Sequence, residues 1–343
     1  MSLPSDQRLR QPIRHQAGRD VRIIVGYFVL TLLLTAILAP PLYWGARTMV
    51  DQIGRADATA LPVLGYVHHH FEKADFARVF NRALLVAALI CLWPAVKMLR
   101  IRRGEFGLAR NPTPWRHLAV GFVAGAGFLL AMGGFYLGYD FFAWRKSTTW
   151  SAVLLDSLTR AVGAGIIEEV LFRGALLGLM LRASSPRLAL LVVTTIFAAV
   201  HFLQPPADVP SIQSGVEWST GFWLLGQILR TFTHPNFILA EFATLWLAGY
   251  LLGWLRLRTR SLWLPIGLHT GWIFALGLFA GVAKASKAVA RHELLPWIGE
   301  TLKTGLVPLG MVALTGGMLA LILRRRQLDP LDPPTFANRD RGG

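Results

Sequence analysis

The sequence predicts an all-α fold, a polytopic transmembrane helical bundle of about eight spans with both termini in the cytoplasm. Composition, the length of the apolar runs, and the alternation of basic residues between connections all lead to this class. Hydrophobic residues make up 54% of the 343 and charged residues only 16%, against roughly 25% charged in an ordinary soluble domain. The apolar residues are clustered into runs that reach the length needed to span a bilayer, about 20 residues at about 1.5 Å each. A soluble helical core would need polar faces that these segments lack. A formal net charge of +16 would suit nucleic-acid binding. Here, however, the lysines and arginines sit at the ends of apolar runs, which assigns them to membrane topology and leaves no nucleic-acid partner.

The spans read near 22–46, 81–99, 117–139, 152–182, 187–203, 237–255, 261–282 and 305–323. A basic cytoplasmic tail, residues 1–21, precedes the first. That span is too long for a signal-peptide core and is not a cleaved leader. The tail carries Arg8, Arg10, Arg14 and Arg19, which hold it in the cytoplasm. The second and third spans are interrupted by a proline and several glycines, which helices in lipid tolerate.

Positive charge then recurs on every second connection. Arg100, Arg102, Arg103, Arg110 and Arg116 follow the second span, Arg182 and Arg187 the fourth, Arg256, Arg258 and Arg260 the sixth, and Arg324, Arg325 and Arg326 the last. The opposite connections balance fewer basic residues with acids such as Asp51, Asp57, Glu72 and Asp75. Residues 22–326 form one transmembrane domain without internal repeats, with a core at about 150–282. The connection 204–236, with four prolines, Trp218 and Trp223, reads as interfacial, and residues 327–343 as a flexible tail. Cys91 is the single cysteine and lies in an apolar run. It can form neither an intrachain disulfide nor a cysteine zinc site, and reads as a packed small residue.

Ionisable side chains within a bilayer are costly and mark functional sites by default. The fourth span holds Asp156, Arg160, Glu168, Glu169 and Arg173. Asp156 and Arg160 stand four apart and read as a structural pair. Glu169 and Arg173 have the same spacing, at which an acid meets a base on one helix face. Glu168, about 100° round the helix, has Phe172 at the equivalent position. It must therefore find a donor on another span or stay protonated. A carboxylate in that situation suits general-base chemistry.

Two histidines can supply the partner: His201 on the fifth span and His269 on the seventh. Glu168 lies 14 residues before Arg182, and His201 lies 14 after Arg187. Both are therefore about 21 Å above the basic edge, with His269 about 14 Å up. Each histidine taken singly reads as a packing residue, and Glu241 as a hydrogen-bonding partner for a neighbouring helix. The run His68-His69-His70 is a solvent-exposed loop that could touch metal. The adjacent glutamates turn the grouped residues into a candidate site.

At these residues the chain resembles the CPBP (Abi) family, the CAAX-protease and bacteriocin-processing membrane proteins that include the Ras-converting prenyl protease. The resemblance rests on Glu168-Glu169-Val-Leu-Phe-Arg173, on Phe197-Ala-Ala-Val-His201 one span later, and on His269 on a later span. It implies a glutamate-type intramembrane endopeptidase in which Glu168 and His201 activate water and His269 stabilises the oxyanion. Glu169, Arg173 and Phe197 would support them. The family commonly has asparagine four residues after the last histidine; here Ile273 stands there. Losing one oxyanion donor typically costs about 10²–10³ in rate.

The chemistry also stands on the residues themselves. Peptide hydrolysis needs an activated water, an oxyanion stabiliser and a proton for the leaving amine. Glu168 can take and return the proton through water shared with His201, and a protonated or Nε2–H His269 can face the oxyanion. No cofactor is expected. Zinc on Glu168, His201 and His269 remains an alternative, although no His-Glu-x-x-His helix is present. Two further classes compete: a non-catalytic membrane scaffold or immunity protein, which Ile273 favours, and a proton-coupled transporter. The transporter reading is weakened by the lack of paired broken helices. The expected partners are the bilayer and a membrane-associated protein or peptide substrate, in a bacterial inner membrane.

Overall fold

The computed structural model describes residues 6–55, 75–98, 106–107, 111–146, 148–202, 209–231 and 239–325. His68-His69-His70, Arg100, Arg102, Arg103, Arg110, Arg326 and the tail after Gln327 lie outside the described residues. Helices form at all eight positions read as spans. They are α1 (Asp6–Arg55), α2 (Phe76–Met98), α3 (Pro114–Gly138), α4 (Trp150–Glu169), α5 (Leu177–Ala183), α6 (Pro186–Val200), α7 (Thr220–Thr231), α8 (Leu239–Thr259), α9 (Trp263–Val282), α10 (Lys287–Ala290) and α11 (Leu306–Arg325). A π-helical segment, Val170–Leu176, joins α4 to α5 without a break, so the long fourth span is one continuous rod.

Among the described residues, five helices are long and apolar enough to cross a membrane: Val21–Ile53 within α1, then α2, α3, α9 and α11 up to Arg324. The protein is therefore an all-α, polytopic membrane protein. The other three positions read as spans fall short of that measure. Helix α6 is 15 residues long, and the α4–α5 rod and α8 carry charged side chains.

Three features differ from the sequence reading. The basic tail is helical from Asp6, continuous with α1. The connection 204–236 contains a helix, α7, whose Leu224, Leu225 and Ile228 pack with Ala36, Ala39 and Tyr43 of α1. Its three- and four-residue apolar spacing dictates that burial, while Trp218 stays exposed and meets Trp44 edge-on with ring centroids 5.0 Å apart. A short antiparallel ribbon, β1 (Phe142–Trp144) with β2 (Ala283–Ala285), ties the ends of α3 and α9 together, Ala143 opposite Lys284.

Helix α9 is the centre of the core, with α3 on one side and α4 on the other. Small residues let it sit so close. A Cβ at Gly121 or Gly125 of α3 would strike the Leu264 or Leu268 carbonyl, and one at Gly267 or Gly271 of α9 would strike the Leu118 or Phe122 carbonyl. Both helices thus carry small residues four apart at their contact, the pattern by which helices in lipid gain van der Waals packing. On the other side, Gly165 of α4 lies against Thr270. The two seams lock the rotation of α9 and aim His269, which lies between Gly267 and Gly271, away from α3 and towards α4.

Candidate active site

The π segment continues α4 and is packed by α2, α6 and α8, while α9 packs against α4 beside it. A π turn inserts an extra residue into the helix and often occurs where function demands a displaced side chain. Here it starts one residue after Glu169 and carries Arg173. Arg173 is fully buried. Its Nη1 donates to Glu169 Oε1 at 2.7 Å, its Nη2 donates to the Gly249 carbonyl of α8 at 3.2 Å, and its guanidinium carbon stands 4.1 Å above the Phe197 ring. One carboxylate, one carbonyl and one ring face thus compensate a cation inside the bundle. Gly249 is required for this arrangement, since a Cβ there would meet the Phe197 ring at 2.8 Å.

Glu169 Oε1 also receives His269 Nδ1, at 2.9 Å. An ionised carboxylate only accepts hydrogen bonds, so Nδ1 carries a proton and Nε2 is the atom left for chemistry. His201 is fixed in the same sense. Its Nδ1 lies 2.7 Å from the Phe197 carbonyl, four residues back on α6, and a carbonyl also only accepts. Both rings pack edge-on to Phe197, His201 with centroids 4.5 Å apart and His269 5.8 Å.

The two Nε2 atoms meet at Glu168. Each lies 3.8 Å from Glu168 Oε2, which is buried and makes no hydrogen bond among the described residues. That separation is too long for a direct bond, yet a single water at about 2.8 Å from each atom can touch the carboxylate and an imidazole together. Accessibility is graded. Side-chain exposure is 0% for Glu169, 1% for Arg173 and 7% for His269, but 21% for Glu168 and 25% for His201. Glu168 and His201 therefore form the open edge of the site, and Glu169, Arg173 and His269 its sealed back. Among the described residues, no group of three His, Cys, Asp or Glu side chains is arranged to hold a metal ion.

The structure brings together all six residues singled out in the sequence. It leaves the other intramembrane charges elsewhere. Asp156 and Arg160 pair with each other at 2.7 Å. Glu241 bonds not to a helix but to Lys303, at 2.7 Å, and Thr304 in the segment before α11.

Residues 149–275 match the family model described as Type II CAAX prenyl endopeptidase Rce1-like. This part of the chain is similar to the CPBP (CAAX-protease) family. The match opens at Thr149, the N-cap of α4, and closes within α9, so it contains every residue of the site; α1–α3 and α10–α11 lie outside it. CPBP-family proteins of this type are proteases, and the apolar helices make this one an integral membrane protein. No curated protein and no solved structure matches the chain.

Sequence reasoning missed the contact between Glu169 and His269. It treated Glu169 as the partner of Arg173 alone. The signal was present in Gly165, whose missing Cβ lets α4 lie directly against Thr270, the residue after His269.

Proposed function

We propose that the protein is an intramembrane endopeptidase that hydrolyses a membrane-associated protein or peptide with a water held between Glu168 and His201. The observation that carries this reading is the 3.8 Å approach of two imidazole Nε2 atoms to one buried carboxylate oxygen. A water in that position gives one hydrogen to Glu168 and the other to the Nε2 lone pair of neutral His201. Its own lone pair is then turned towards a substrate carbonyl. Glu168 takes the proton as the C–O bond forms and returns it to the departing amine.

His269 faces the oxyanion. Because its Nδ1–H is committed to Glu169, a neutral His269 has no proton on Nε2. It stabilises the oxyanion as an imidazolium, whose charge the Glu169 carboxylate supports. Glu169 and Arg173 are positioning residues that hold this ring in its tautomer and place, and Phe197 is the wall both rings lean on. The setting that fits the short basic connections is a bacterial inner membrane, with both termini on the cytoplasmic side. No nucleic acid and no cofactor enter the reaction.

The test is cleavage of a membrane-anchored peptide library by purified protein, wild type beside Glu168→Gln and His201→Ala, with and without a chelator. Cleavage by the wild type that survives chelator and is lost in both variants is the expected result. Loss on adding chelator would replace the mechanism with a zinc one on Glu168, His201 and His269. A biological role that survives both substitutions would favour the non-catalytic scaffold, the reading Ile273 supports. Ile273→Asn sharpens that choice, because in an active site short of a donor it raises turnover, by up to about 10², and in a scaffold it changes nothing.

A further inference from the structure

The end of the bundle opposite Arg116, Arg256, Arg258 and Arg260 carries positive charge that membrane topology does not explain. Helices α3 and α9 start beside those arginines and finish at the β1–β2 ribbon. Basic residues of membrane proteins gather on one side of the bilayer, so the ribbon end should hold few. Residues 139–149 and 283–305 instead hold six lysines and arginines against three acids. The nearby acids are committed to other partners. Glu293 lies 3.8 Å from Arg291, Glu300 lies 3.7 Å from His292, and Glu241 of α8 holds Lys303 at 2.7 Å. Among the described residues no acid stands at ion-pair distance from Arg145, Lys146, Lys284 or Lys287, and all four are exposed.

The ribbon sets two of these cations side by side. Ala143 and Lys284 are direct partners across it, both exposed. The Arg145 backbone N–H donates to the Val282 carbonyl at 2.8 Å, which carries the pairing one residue past β1. Arg145 and Lys284 are therefore diagonal neighbours, about 7–8 Å apart. Arg145 Nε donates to the Ala280 and Ala283 carbonyls, at 3.2 and 3.0 Å. Those bonds fix the base of the guanidinium and leave its two terminal nitrogens for a further partner. Lys287 opens α10 three residues after Lys284.

Aromatic rings flank the cations. Tyr139, Trp144 and Trp150 are each half or more exposed, and the two indoles meet with centroids 6.1 Å apart. Tyr139 caps α3, Trp144 ends β1 and Trp150 opens α4. Exposed Trp and Tyr at the ends of membrane-crossing helices sit at the level of the lipid headgroups. The cations beside them therefore stand at the height of lipid phosphate.

We propose that Arg145 and Lys284, assisted by Lys146 and Lys287, bind the headgroup of an anionic phospholipid in the leaflet at this end of the bundle. The lipid phosphate takes the terminal nitrogens of Arg145 and the Lys284 ammonium, and the upper part of an acyl chain lies along Trp144 and Trp150. A choline lipid brings the same phosphate together with a cation that the lysines repel, so the surface selects net negative charge. Bound there, the lipid ties the ribbon, and with it the ends of α3 and α9, to the membrane surface. Glu168 and His201 take no part, so the surface does not depend on the protease reading.

The experiment places a bimane fluorophore on Ala143→Cys, with Cys91→Ala, in the full-length protein in phosphatidylcholine nanodiscs. A small share of the lipid is replaced by phosphatidylglycerol brominated high on its chains, or by phosphatidylcholine brominated in the same way. The ratio of quenching by the two lipids measures local enrichment of the anionic one. The expected ratio is about 5-fold or more, the gain from about one basic residue at a membrane surface, and it falls as salt is raised. Arg145→Gln and Lys284→Gln each lower the ratio, and together they bring it to about one. Arg145→Lys and Lys284→Arg retain it, as does Arg258→Gln at the opposite end. A ratio of one in the unsubstituted background overturns the proposal. So does a ratio that Arg145→Gln and Lys284→Gln together leave intact. Loss of the enrichment on adding inorganic phosphate at constant ionic strength would assign the cations to a soluble anion and overturn it as well.

Discussion

Two neighbouring ridges of α4 share one helix and one backbone yet have opposite environments. The first, ending in Glu169, faces α9 through small residues, and its carboxylate is wholly enclosed with Arg173 and His269 on the same oxygen. The second, ending in Glu168, runs along the margin of that seam and keeps its carboxylate one-fifth exposed, with two imidazoles standing off at 3.8 Å. A shift of one residue, about 100° around the helix, separates a carboxylate whose Oε1 is held by two partners from the fold from one that still has room for a water. On the proposed mechanism the paired glutamates divide the work: the enclosed one sets the geometry, and the open one does chemistry.

Substitutions can break or sharpen that division, and the largest effects fall on the enclosed ridge. Arg173→Ala leaves Glu169 as a buried uncompensated charge and is expected to cost about 3–5 kcal/mol, read as a lowered unfolding midpoint in detergent. The division would be wrong if Arg173→Ala left stability unchanged. Gly271→Leu pushes α9 away from the Phe122 carbonyl and costs about 1–3 kcal/mol. It also lowers cleavage, because His269 moves with the helix; a loss of stability with full activity would show that the seam does not place the ring. Asp156→Asn, on the open ridge, removes a partly exposed pair and costs at most about 0.5 kcal/mol, a shift that denaturant titration should barely resolve.

Much of this was legible in the sequence because the bilayer imposes strong rules. Apolar length located the helices, and the expense of charge in lipid singled out Glu168, Glu169, Arg173, His201 and His269. The Glu169–Arg173 pair was readable since i, i+4 spacing is a property of the helix itself. Contacts between helices were not, because the pattern does not say which helix follows which in space. The bond from Glu169 to His269, across 100 residues, depends on α9 being wedged between α3 and α4. The partner of Glu241 was misplaced for the same reason: Lys303 and Thr304 belong to an irregular segment with no periodic signal. Helix α7 was hidden inside a proline-bearing connection too short to read as a span.

The most direct measurement pairs rate with stability on the same samples of wild type, Glu168→Gln and Glu169→Gln, using single-turnover cleavage of a membrane-anchored peptide and reversible unfolding in detergent. The account predicts that Glu168→Gln slows cleavage by about 10²–10⁴ while its unfolding free energy stays within about 1 kcal/mol of wild type. Glu169→Gln, which strips the buried arginine of its counter-charge, is destabilised by several times that amount. Wild-type cleavage by Glu168→Gln, or equal destabilisation by the two substitutions, would contradict the claim that one glutamate is chemical and the other structural.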